Sequence, residues 1–175
     1  MLKKTSILKL EIISTIFVMI LGVLLHFTFE WSNNNVLVST FSPVNESTWE
    51  HLKLVFFPML ITTIFIYFYE GKNISNYLCA KVQGIILAMM FIIIFFYTYT
   101  GIIGTNFAIV DIGSFFIAVA LGQYVAYQKM KLAVSCNKIV PVIVLLVLCL
   151  FFWIFTFFTP NIGLFKDPIT GMFGI

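Results

Sequence analysis

The sequence contains no arginine, and charged side chains make up only 10% of its 175 residues. Its basic groups are lysines near the ends of apolar runs, so no guanidinium-rich face exists to grip a phosphate backbone, and nucleic-acid binding is excluded as a reading. Histidine occurs twice and cysteine three times. Cys79, Cys136 and Cys149 stand singly inside or beside apolar stretches, without metal-ligand spacing or pairing partners, and read as small interior residues. No repeat, low-complexity linker or domain boundary interrupts the chain, which reads as one helical domain over residues 1–175.

Apolar side chains are what the sequence has in excess. Hydrophobic residues reach 61% and the mean hydropathy is +1.07, more apolar surface than a soluble domain of this length can bury. Five runs, approximately 7–29, 52–69, 77–99, 107–127 and 139–159, approach or exceed the length of about 20 helical residues that crosses a hydrocarbon layer. The expectation is an all-α polytopic membrane protein, a compact bundle of five transmembrane helices solvated by the lipid bilayer. Basic residues in the opening run, followed by a bulky aromatic exit to Trp31 with no small-residue cleavage site, mark an uncleaved helix rather than a signal peptide. Lys3, Lys4 and Lys9 lie at the start of the first span, Lys72 and Lys81 flank the second connection with Glu70, and Lys129, Lys131 and Lys138 occupy the fourth. The first and third connections carry no lysine. The positive-inside rule then puts the N-terminus in the cytoplasm and the C-terminus outside. The tail, residues 160–175, is free to lie on the interface or to dock on a partner.

Polar residues gather at the outer end. Pro43-Val-Asn-Glu-Ser-Thr-Trp-Glu-His-Leu-Lys53 holds Asn45, Glu46, Glu50, His51 and Lys53 in one short segment. His26 and Asp111 lie about 5 to 8 Å inside the outer edges of their own spans, and Glu30 follows His26 one turn later. A carboxylate within a span is costly and marks a site by default, so Asp111 is a strong candidate. His26, Glu30, Asn45, Glu46, Glu50, His51 and Asp111 are therefore the candidate ligand-binding residues. Local roles compete with this reading. Ser47-Thr-Trp-Glu50 matches a capping box, and continuing the second helix back to residue 46 puts Glu46, Glu50 and Lys53 on one face and His51 on another. Ser114, Ala118 and Gly122 form a small-residue ridge on the fourth span, suited to close helix packing. Gln83 and Gln123 are polar groups deeper in their spans.

Leu24-Leu-His-Phe-Thr-Phe-Glu-Trp31, the segment from Phe41 to Lys53 and Pro58 resemble the signature of an uncharacterised family of small multi-pass bacterial membrane proteins, clostridial in type. The resemblance runs most of the chain, including Asp111 to Gln123. It implies a bacterial origin and a cytoplasmic-membrane location and carries no activity with it.

Three functional readings follow. An outward-facing histidine and carboxylate site binding a small ligand, a cation or a lipid headgroup leads. The second is a metal-dependent intramembrane hydrolase using His26, His51 and Asp111, a ligand set that suits zinc. It is similar in concept to ceramidase-like hydrolases, but departs from them in having two histidines in all, five spans and no His-x-x-x-His pair. The third is a structural or accessory subunit, working as a homo-oligomer or with a membrane partner.

Overall fold

The computed structural model describes residues 4–132 and 134–175, with side chains from residue 7 onward. Lys3 and the Lys4 side chain, counted above as flanking charge, lie outside the described residues. The protein is all-helical: α1 (Lys4–Trp31), α2 (Thr48–Tyr69), α3 (Tyr77–Ile103), α4 (Ala108–Met130) and α5 (Ile139–Phe157), each long and apolar enough to cross a membrane. Short 3₁₀ turns at Val38–Thr40, Gly71–Asn73 and Gly163–Phe165 punctuate the connections and the tail.

Local signals set the helix ends. The N-cap of α2 is Ser47, whose side chain accepts from the Glu50 amide, so α2 starts four residues earlier than its apolar run predicts. The C-cap of α3 is Gly104 at φ 88°, a left-handed conformation that glycine adopts without strain. Inside α2, Pro58 has no N–H to offer the Leu54 carbonyl one turn back. Here α1 comes close: a Cβ on Gly22 would stand 2.7 Å from that carbonyl oxygen. A second close approach joins α3 and α4, where a Cβ on Gly122 would stand 2.6 Å from the Gly84 carbonyl. The buried ridge of Ser114, Ala118 and Gly122 faces inward there.

Two buried ion pairs cross-link the bundle. Lys81, expected as a flanking charge, is fully buried; its Nζ donates to Glu11 Oε2 at 2.6 Å and to Gln123 Oε1 at 2.7 Å, and Gln123 Nε2 donates to Ser14 Oγ at 2.8 Å. Burial of Lys81 next to a carboxylate from α1 is what removes it from the count of water-facing charge. Toward the other end, Lys53 Nζ donates to Glu50 Oε2 at 2.6 Å, to Thr156 Oγ1 at 2.6 Å and to the Ser39 carbonyl at 2.8 Å. One ammonium thus ties α2, α5 and the α1–α2 connection together.

Two cysteines differ from expectation. Cys79 and Cys136 form a disulfide across 57 residues, with Cα atoms 6.3 Å apart, while Cys149 is a half-buried free thiol. The connection after α4 folds over the first turn of α3 because Asn76 Nδ2 donates to the Lys129 and Leu132 carbonyls, and sequence spacing carries no trace of that contact. The tail also settles on its own bundle: Phe165 is buried beside Trp49, ring centroids 5.0 Å apart, and Asp167 Oδ1 accepts from the Ile169 and Thr170 amides.

Candidate functional site

The α1–α2 connection is held from both sides before it presents Glu46. Ser42 Oγ donates to the Leu25 carbonyl at 2.7 Å and accepts from the Phe29 amide at 3.2 Å, anchoring the connection to the end of α1. Glu50 Oε2 accepts from the Val44 amide at 3.0 Å. Asn45 Oδ1 accepts from the Ser47 amide, and its Nδ2 donates to the Gly174 carbonyl of the tail. Glu46 precedes the helix, so its side chain does not follow the face of Glu50 and Lys53. It turns toward the histidines.

There His26 Nε2 lies 3.7 Å from Glu46 Oε1, His51 Nε2 lies 3.4 Å from Glu46 Oε2, and the two Nε2 atoms are 3.3 Å apart. One ligand atom from each of His26, Glu46 and His51 falls within 4.8 Å of the others. Ligands about 2.0–2.1 Å from a tetrahedral ion stand about 3.3 Å from each other; the two imidazole nitrogens meet that edge, while the carboxylate reaches each histidine through a different oxygen. His51 Nδ1 lies 3.0 Å from the Ser47 carbonyl. A carbonyl only accepts, so Nδ1 carries the hydrogen, and in the neutral ring the Nε2 lone pair points at the cluster; outer hydrogen bonds of this kind orient metal-ligating histidines. Contact with His26 first, and with His51 next, holds the Glu46 carboxyl well below the usual carboxylate range.

The cluster stands at the polar end of a cavity of about 400 Å³ walled by residues of α1, α2, α3, α4 and the tail. Asp111 lines the same cavity. Tyr99 donates its hydroxyl hydrogen to Asp111 Oδ1, and Asn106 Nδ2 donates to Oδ2 at 3.3 Å. The whole chain, residues 1–175, matches a family of unknown function, DUF6512.

The chain belongs to this family. No curated protein and no solved structure matches it.

Of the predicted site residues, His26, Glu46, His51 and Asp111 share the recess. Within the cluster the group beside the two histidines is Glu46, where the sequence reading puts Asp111. Glu50 is instead buried against Lys53 and Thr156, and Asn45 organises the turn before α2. Glu30 is exposed on α1 and does not line the cavity. Gln123 belongs to the Glu11–Lys81 network, and Gln83 is exposed. Buried Val18, Ile85 and Ala118 lie between the two polar layers along their helices. Glu11 is the functional-looking residue that sequence reasoning misses; a lone carboxylate in an apolar run is the signal that finds it.

Proposed function

We propose that this multi-pass membrane protein holds a divalent transition-metal ion of the zinc class on His26, Glu46 and His51. The observation that carries the reading is the convergence of two imidazole nitrogens 3.3 Å apart and a carboxylate, one ligand atom from each within 4.8 Å of the others, drawn from α1, α2 and the connection between them. Two neutral imidazoles and one carboxylate leave a net positive charge on a bound divalent ion and a fourth position for water or a ligand. The cavity beneath supplies space for that ligand, which makes ligand binding at the ion the primary reading. Asp111, in the same recess and oriented by Tyr99 and Asn106, favours metal-dependent hydrolysis as the second reading, with its carboxylate as the base for a metal-bound water.

In this reading the site faces outward, because Lys72, Lys129, Lys131 and Lys138 sit at the opposite end of the bundle. The membrane is the bacterial cytoplasmic membrane that the sequence signature implies, and the chain acts as one helical domain. Equilibrium dialysis against zinc tests the proposal. Wild-type protein should retain one zinc per chain, His26→Ala, His51→Ala and Glu46→Gln should weaken retention at least tenfold, and Asp111→Asn should retain it. Wild-type protein that keeps no zinc overturns the reading.

A further inference from the structure

The cavity has features that an ion alone does not call for. Its walls are largely apolar, formed by Gly22, Leu54, Ile92, Phe96 and Phe115, while the charged groups are confined to one end. Three lining residues on α1 and α4 are also open to the surroundings of the bundle: Val23 is 40% exposed, Phe27 42% and Ile112 54%. These side chains thus border both the cavity and the outer surface of α1 and α4, helices apolar enough to face lipid. Pro168 and Ile169 of the tail line it as well, on the side of the connections. His26 lies five residues inside Trp31, the last residue of α1, which is about 7.5 Å along the helix axis. With Trp31 at the interface, where indole is favoured, that is the level at which the polar part of a lipid meets its hydrocarbon. A pocket of a few hundred Å³ with apolar walls and a few convergent polar groups takes an amphiphile end-on.

Building on the metal-site reading, we propose that the recess takes a fatty acyl group from the adjoining leaflet. The hydrocarbon chain lies between α1 and α4, and the acyl carbonyl oxygen occupies the open coordination position of the ion on His26, Glu46 and His51. Asp111 lines the same recess and disfavours a second carboxylate there, so an ester carbonyl of a membrane lipid is preferred to a free fatty acid. Gly22 contributes by keeping the wall free of a side chain where α1 meets the Leu54 carbonyl and Phe115.

The test uses the full chain loaded with cobalt(II) in nanodiscs of ether-linked lipid, which supply no ester carbonyl. Visible absorption of the cobalt is followed during titration with lauroyl lysophosphatidylcholine, its ether-linked analogue, laurate and acetate. The ester should perturb the cobalt bands with an affinity at least tenfold tighter than acetate, and the ether analogue should leave them unchanged. Ile112→Trp and Val23→Trp, which add bulk at the exposed border of the cavity, should each weaken the ester response at least tenfold while cobalt affinity is retained. A response to laurate but not to the ester supports the acyl site and assigns a free fatty acid as its source. Normal cobalt bands that neither long-chain ligand perturbs, that acetate perturbs equally, or whose ester response survives both tryptophan variants overturn the acyl proposal and leave the metal reading standing. Failure to bind cobalt overturns both.

Discussion

His51 Nε2 lies 3.3 Å from His26 Nε2 across a sequence separation of 25 residues. Two imidazole nitrogens at that distance share one hydrogen at most when both rings are neutral, and they repel when both are protonated. In the proposed metal reading a cation takes the place of that hydrogen, with the Glu46 carboxylate as the third donor.

Metal retention should fall as pH is lowered, because a protonated imidazole has no lone pair to donate. Glu46 is held well below the usual carboxylate range by His26 and His51, so it remains a carboxylate while the histidines titrate. The sign follows: affinity is lost on acidification and recovered as pH rises. Protons compete only at the imidazoles. A plot of log affinity for zinc against pH should approach a limiting slope of about two, and a slope of about three would show that the carboxylate takes up a proton in the same range.

Lys81→Met leaves the Glu11 carboxylate buried without its cation. Removing one member of a buried pair costs about 3 to 5 kcal/mol, so this variant should unfold well below wild type in a thermal melt in detergent. Adding Glu11→Leu should recover most of the loss, since an apolar pair of similar volume needs no desolvation of charge. A double variant no better than the single would contradict this account of the inner network.

Gly84→Leu and Gly122→Leu should each destabilise the bundle, because the added side chain meets backbone of the facing helix. Gly113→Ala is the control. Among the described residues nothing beyond its own helix backbone and chain neighbours lies within 4 Å of a Cβ at Gly113, and alanine gains up to about 1 kcal/mol of helix propensity over glycine. Equal melting temperatures for Gly113→Ala and Gly122→Leu would contradict the packing described.

The Cys79–Cys136 pair lies at the lysine-bearing end, which the proposed orientation puts in the reducing cytoplasm. In growing cells it should therefore be a dithiol, labelled by a membrane-permeant maleimide and spared by an impermeant one, and should close on oxidation of isolated membranes. A cysteine placed at Asn34, at the opposite end, should react with the impermeant reagent. Protection at Asn34 together with labelling of Cys79 and Cys136 by the impermeant reagent would invert the orientation.

The five helices are legible in the sequence because apolar runs of spanning length leave little alternative, and their ends shift only where capping decides, as Ser47 does for α2. The recess is legible in part. His26 and Asp111 can be assigned to one layer by counting helical rise and His51 to the same outer end, but grouping Glu46 with the histidines depends on its preceding the helix, which a helical wheel drawn through residue 46 misplaces. Glu50 reads as a site residue until Lys53 is seen to reach Glu50, Thr156 and the Ser39 carbonyl together. Glu11 with Lys81, and Cys79 with Cys136, are contacts between distant segments. Neither pairing leaves a periodicity or a spacing that one sequence displays.

The most direct test of the central claim is the number of imidazoles on one bound ion. Pulsed electron paramagnetic resonance of the copper(II)-loaded protein reads this from the remote ring nitrogens of coordinated histidine, with His26→Ala and His51→Ala as references. The account predicts a wild-type spectrum with the combination lines of two equatorial imidazoles and a single-imidazole spectrum in each variant. A wild-type spectrum of one imidazole or none, or one unchanged by either substitution, contradicts it.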